Sequence, residues 1–208
     1  MRIVVLLYCI LLLAACAGKK SEFPHIVIQT NYGDIEAELY PAKAPKTVAA
    51  FLSYIDKGFY KNTTFYRVLK DEEMPTDFNS GLIQGGVWPN LKSVVGIEHE
   101  STKQSLLSHT SGTLSMARTG VGTATTEFFI CIGDQTSLDA GGSGTTDSLG
   151  FAAFGKVTKG MSVVRKIQAT KTNGDKFIEQ IKIGNINVDQ GSLSSYLYKL
   201  LGMYLPTF

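Results

Sequence analysis

Arg67, Gln84 and Phe129 are the residues of this chain best suited to chemistry, and each lies in a short apolar segment built for a strand. The segments, in order, are Thr64-Phe65-Tyr66-Arg67-Val68, Leu82-Ile83-Gln84-Gly85-Gly86, Ser115-Met116-Ala117-Arg118, Glu127-Phe128-Phe129-Ile130-Cys131 and Phe154-Gly155-Lys156-Val157. A guanidinium stays charged and offers several donors in a planar fork, an amide both donates and accepts, and a phenyl ring supplies an apolar face. Placed on neighbouring strands, this set is suited to holding a peptide segment against an apolar face.

The elements that must position these residues follow from hydrophobic periodicity. Ile26 and Ile28 alternate with Val27 and Gln29; after the turn Asn31-Tyr32-Gly33-Asp34, Ile35, Ala37 and Leu39 share one face while Glu36 and Glu38 share the other. From Pro45 to Lys57 the period changes, with Val48, Phe51, Leu52 and Ile55 at helical spacing, Pro45 in the first turn and Gly58 as the stop. A second, shorter helix is predicted from Lys159 to Gln168 on Val163, Val164 and Ile167. Strand-like runs fall at 63–68, 82–86, 112–117, 127–133, 151–157 and 177–184. Many strands, two helices and glycine-rich turns predict a mainly all-β protein, an antiparallel barrel and not an α/β sheet, which needs a helix after nearly every strand. Gly141-Gly142-Ser143-Gly144 lacks the lysine, the hydroxyl residue and the helix of a nucleotide cradle and reads as a flexible loop.

The chain has 208 residues, 44% of them hydrophobic, enough for one domain with a full core. A formal net charge of +2 argues against polyanionic partners, nucleic acid included. Residues 1–15 carry a single charge, Arg2, and an apolar run too short to span a bilayer, and they read as a secretion signal. The signal ends in Leu13-Ala14-Ala15-Cys16, which resembles the lipobox of bacterial lipoproteins, in which the cysteine is acylated and becomes the mature N-terminus. An ordinary signal peptide is the alternative. Residues 16–24 then form a lipidated tether, 25–190 the domain and 191–208 an amphipathic tail, with Leu193, Tyr196, Leu197, Leu200, Leu201 and Tyr204 at helical spacing. Cys9 leaves with the signal, so Cys131 is the one thiol left and reads as a buried small hydrophobe. His25, His99 and His109 show no metal spacing.

The five segments resemble the cyclophilin-type peptidyl-prolyl isomerases, whose motifs read roughly F-x-R-V, Q-G-G, S-M-A, F-F-I and F-G-x-V in the same order, and the resemblance runs from about His25 to Val188. It implies a closed eight-stranded antiparallel barrel capped by two α-helices, with a peptide groove on its outer surface, and neither cofactor nor metal. It also implies roles for individual residues. Arg67 would hydrogen-bond the lone pair that the proline nitrogen regains as the amide twists. Gln84 would grip the peptide backbone and orient Arg67, and Phe129, with Leu82 and Leu138, would line the proline pocket. Ala117 would keep the groove floor low, and Phe65, Glu127 and Phe151 would complete the substrate-binding set. For Phe129 a place in the barrel core is the rival reading, because Phe128 must point the opposite way.

The chain departs from the family pattern at several positions. Glu127 replaces a glutamine and either pairs with Arg67 or accepts the same backbone donor; if it pairs, Glu127→Gln should be as fast or faster. Arg118 replaces an asparagine, Ser137 a tryptophan found in many relatives, and Phe151 a groove histidine. An acidic insert between Lys70 and Gly81 displaces the stretch that supplies another pocket phenylalanine, for which Phe78 is a substitute. The expected partners are proline-containing segments of exported proteins and a membrane reached through the lipid, with the protein a monomer. Ala17 in place of aspartate after the lipid cysteine resembles outer-membrane sorting, which puts the domain in the bacterial envelope facing the periplasm. A non-catalytic peptide-binding or chaperone module is the alternative function.

Overall fold

The computed structural model describes residues 23–70, 80–87 and 94–200. The leader, Cys16 with most of the tether, the acidic insert with Phe78, and the last residues of the tail lie outside the described residues.

Strands β1 (His25–Thr30) and β2 (Gly33–Leu39) form the predicted hairpin, with Ile26 opposite Ala37 and Ile28 opposite Ile35. Ile26, Ile28, Ile35, Ala37 and Leu39 are fully buried, while Glu36 and Glu38 on the other face keep solvent contact. The remaining strands are β3 (Thr63–Lys70), β4 (Gly81–Gly86), β5 (Thr113–Met116), β6 (Phe128–Ile132), β7 (Ala152–Lys159), β8 (Thr172–Asn173) and β9 (Lys176–Val188). Pairing runs β1-β2-β7-β5-β6-β4-β3-β9 and returns from β9 to β1, antiparallel throughout. Eight strands therefore close the barrel, as the sequence predicts, and β8 adds only a two-residue hairpin to β9. Closure leaves no long unpaired edge in the ring.

Helix α1 (Pro45–Asp56) packs Val48 and Phe51 into the core, where the Phe51 ring lies 4.9 Å from Phe154 and 5.5 Å from Phe128. Helix α3 (Met161–Gln168) buries Val164 and Ile167. It starts two residues later than predicted because β7 continues through Lys159 and Gly160 makes the turn at a φ of 93°. A single turn, α2 (Thr102–Ser105), and a C-terminal helix, α4 (Gln190–Leu200), complete the fold. The start of α4 is tied to β1: Ser192 Oγ accepts from the His25 N–H and Asp189 N–H donates to the His25 carbonyl, both at 2.8 Å. Each large side chain buried in this core contributes about 1.5–3 kcal/mol relative to exposure.

Candidate active site

Strand alternation sorts β6 and β4 into two faces. Phe128, Ile130 and Ile132 point into the barrel, whereas Phe129 and Cys131 point outward and meet Leu82 of β4 in a second, smaller cluster. This decides between the two places open to Phe129: Phe128 takes the core and Phe129 takes the surface pocket. Ala117, Leu138 and Phe151 pack against the same cluster, and the Phe151 ring meets Phe129 edge-on at 5.4 Å. These residues form the apolar end of a groove of about 540 Å³ whose polar wall carries Tyr66, Arg67, Gln84 and Glu127.

A bulge in β3 makes the polar wall. Phe65 is opposite Gly85 and Arg67 is opposite Gln84, so two residues of β3, Tyr66 and Arg67, face one of β4. Strict alternation would turn Arg67 inward with Phe65; the extra residue keeps both Tyr66 and Arg67 outside and returns Val68 to the core. Gly85 permits the crossing, since a Cβ there would sit 2.8 Å from both the Phe65 ring and the Thr64 carbonyl oxygen.

On this wall the hydrogen bonds run in one direction. Arg67 Nη1 donates to Gln84 Oε1 at 3.1 Å, Gln84 Nε2 donates to Tyr66 Oη at 2.8 Å, and the Tyr66 hydroxyl donates to Glu127 Oε2 at 2.7 Å. Arg67 Nε donates to Asp175 Oδ2 at 2.8 Å. Burial, reinforced by the bond to Glu127, pushes the Tyr66 hydroxyl well above its ordinary value, so it remains a donor. The other Glu127 oxygen accepts from the Val87 N–H at 2.8 Å and from Thr126 Oγ1 at 3.1 Å. Gly86, at a φ of 149°, lies directly beneath that carboxylate, with no Cβ to displace it. Three guanidinium N–H groups of Arg67 and one amide N–H of Gln84 have no acceptor among the described residues.

His109 supports the apolar end from below. It is fully buried and stacks on Phe129 with ring centres 5.9 Å apart. Its Nδ1 lies 2.5 Å from Asp139 Oδ1 and its Nε2 lies 2.9 Å from Ser115 Oγ. With the carboxylate as acceptor, Nδ1 carries the proton and Nε2 accepts from the serine. Burial lowers the His109 pKa despite the opposing pull of Asp139. Ser115 is fully buried as well, so this serine, histidine and aspartate brace the pocket floor and have no route to a substrate carbonyl.

Arg118 closes one side. Its side chain is only 4% exposed, and its Nη1 and Nη2 grip the two oxygens of Asp147 at 2.7 and 2.8 Å. The same guanidinium donates to the Gly150 carbonyl and lies 5.5 Å from the Phe151 ring centre. These bonds hold the Asp147 carboxyl well below the usual range and pin the loop that precedes β7 against the groove.

Of the residues singled out in the sequence, Arg67, Gln84, Phe129, Leu82, Ala117, Glu127, Leu138 and Phe151 come together around one groove. Phe65 does not. It is fully buried inside the barrel, its ring 5.7 Å from Phe128, because it sits on the inward side of the bulge. Of the two partners open to Glu127, the backbone donor is the one observed, at Val87, and the carboxylate paired with Arg67 is Asp175. Ser137 is exposed on a short turn (Thr136–Leu138), its carbonyl accepting from the Gly144 N–H. Sequence reasoning missed Tyr66, Asp175, Asp147 and the role of His109. Asn173-Gly174 was a readable hairpin signal before Asp175, but its 108-residue separation from Arg67 was not. Cys131 is buried, which raises its thiol pKa, and among the described residues no His, Cys, Asp and Glu cluster could hold a metal.

Barrel, bulge and groove place an apolar pocket beside a fixed cation on the outer surface of the barrel. The sequence profile described as cyclophilin type peptidyl-prolyl cis-trans isomerase/CLD matches residues 25–188. The chain is 38% identical over 161 residues to the peptidyl-prolyl cis-trans isomerase cypE of Dictyostelium discoideum, covering 76% of this chain and 93% of that one. It is 40% identical over 153 residues to a peptidyl-prolyl cis-trans isomerase of Acinetobacter baylyi, covering 71% and 73%. The crystal structure of a Cryptosporidium parvum cyclophilin, solved in the presence of the dipeptide Ala-Pro, superposes with a TM-score of 0.63 at 25% identity, covering 80% of this chain and 99% of that one. The chain belongs to the cyclophilin family of peptidyl-prolyl cis-trans isomerases. Its activity is the interconversion of cis and trans X-Pro bonds.

Proposed function

We propose that Arg67, Gln84 and Phe129 carry this isomerisation, and that the enzyme serves exported proteins from a lipid anchor in the bacterial envelope. Rotation about an X-Pro bond faces a barrier of about 18–20 kcal/mol, and bringing exchange from tens of seconds to milliseconds requires roughly 5–6 kcal/mol of transition-state stabilisation. No covalent bond forms or breaks, so the need is for a donor to the nitrogen lone pair that appears when amide resonance is lost. Arg67 meets it without surrendering a proton. The proline ring rests on Phe129 with Leu82 and Leu138, and Gln84 offers its remaining N–H to a peptide carbonyl. The observation that carries this reading is the bulge that sets Arg67 beside Gln84 on the groove wall. Arg67→Ala should lower kcat/KM at least about tenfold in an NMR exchange assay on a short X-Pro peptide, with the unfolding midpoint unchanged. Wild-type turnover by that variant removes Arg67 from the mechanism.

The envelope reading rests on the Leu13-Ala14-Ala15-Cys16 segment and its apolar leader. Cys16→Ala should leave uncleaved precursor or a soluble species in place of an acylated one. Incorporation of labelled palmitate into that variant is the result that sinks the anchor.

A further inference from the structure

The β8–β9 hairpin supplies a residue that nothing above assigns to the mechanism. Asp175, just after the tight turn at Gly174 (φ 58°), is bound twice to β3. Its Oδ2 accepts from Arg67 Nε and its backbone carbonyl accepts from the Val68 N–H, each at 2.8 Å. The β3–β9 register explains the placement. Pairing runs regularly from Thr63 with Ile183 to Phe65 with Ile181, then jumps at the bulge to Arg67 with Lys176. The bulge that turns Arg67 outward thus breaks the regular ladder, and beyond the break Asp175, in register with Val68, resumes contact with β3 through one backbone and one side-chain bond.

We propose that Asp175 is a positioning residue for Arg67: it fixes the guanidinium plane through Nε so that the unpaired N–H groups stay presented to the substrate. Two anchors on different nitrogens, Asp175 on Nε and Gln84 on Nη1, define that plane. With Gln84 alone the fork pivots about a single neutral contact, and a long arginine side chain regains much of its rotamer freedom. The pair is too exposed, at 39% for Arg67 and 46% for Asp175, for a large Coulombic contribution, so its effect lies in orientation. Orientation errors of this kind appear in kcat and not in substrate affinity.

The proposal rests on Arg67 being the residue that meets the amide, and its test separates the two claims. kcat and KM are measured by NMR exchange for wild type, Arg67→Ala, Asp175→Ala, Asp175→Asn and the Arg67→Ala, Asp175→Ala double variant, with urea midpoints as the check on folding. Asp175→Ala should lower kcat roughly fivefold with KM within about twofold. Asp175→Asn, which keeps an acceptor oxygen and the backbone bond, should recover part of the loss. In the Arg67→Ala background Asp175→Ala should change nothing further. A wild-type kcat for Asp175→Ala, or the same fall in the Arg67→Ala background, overturns the positioning role while the isomerase reading of Arg67 stands. Wild-type turnover by Arg67→Ala overturns both.

Discussion

Glu127 shows how the identity of one atom sets the direction of a network. A carboxylate only accepts, so the Tyr66 hydroxyl must donate to it and must itself accept from Gln84 Nε2. That turns Gln84 Oε1 toward Arg67. A glutamine at position 127 that still accepts from the Val87 N–H presents its NH2 to Tyr66, which leaves the hydroxyl without its acceptor and makes it a rival target for donors. Glu127→Gln should therefore lower kcat/KM by roughly three- to tenfold, about 1 kcal/mol, with folding intact, the reverse of what an Arg67 pair predicts. Turnover equal to or faster than wild type, in the same exchange assay, contradicts this assignment. The residue types of the site were legible because strand alternation is a local rule: Leu82 and Gln84, like Phe129, had to share a face. Tyr66 was not legible, since a bulge is set by the partner strands and leaves no period of its own in the sequence.

At the scale of the element, α1 is capped from a distance. Ala44 at its N-cap has no side-chain bond to offer. Instead Glu100, mostly buried, accepts from the Lys46 N–H at 3.0 Å, from the Thr47 N–H at 2.8 Å and from Thr47 Oγ1 at 2.7 Å. The negative charge also faces the positive end of the helix dipole. Glu100→Ala leaves three donors unsatisfied near the core and should cost about 1–3 kcal/mol, read as a lower urea midpoint. An unchanged midpoint means that water caps the helix as well as the carboxylate does. The helix itself was readable from Pro45 and its apolar stripe, ending within a residue of the prediction. Its cap was not, because the capping residue is 53 positions away from Thr47. Arg118 is a parallel case: the sequence marks it as unusual, and only the structure shows Asp147 as the reason it is tolerated beside an apolar pocket.

At the scale of the whole molecule, His109 is a buried titratable group beneath the apolar end of the groove. His109 is held neutral by burial, so below its ordinary pKa near 6.5 the unfolded chain takes up a proton that the folded chain resists. Its folded pKa is lowered, and the sign follows: the barrel loses stability as pH falls below about 6.5, until the folded-state value is reached, and gains nothing from this group above it. Asp139, Ser108 and Ser115 are the polar groups at the site, and only the carboxylate opposes the trend. The urea midpoint of wild type should drop between pH 7.5 and 5.5, and His109→Asn should remove part of that drop; an equal slope in both proteins excludes His109 as its source. The barrel was predictable from the number and spacing of strands, whereas the closing pair was not, because β1 and β9 carry no mutual signal in composition. That seam sets an order of events. Ile26 pairs with Val188 and Ile28 with Ile186, so the first of the described strands to emerge during synthesis waits for the last of them. Contacts of such wide separation form late, after loop-closure entropy has been overcome. A chain made N-terminus first thus remains open along one flank until β9 is available, and the β1–β9 seam is the last to close.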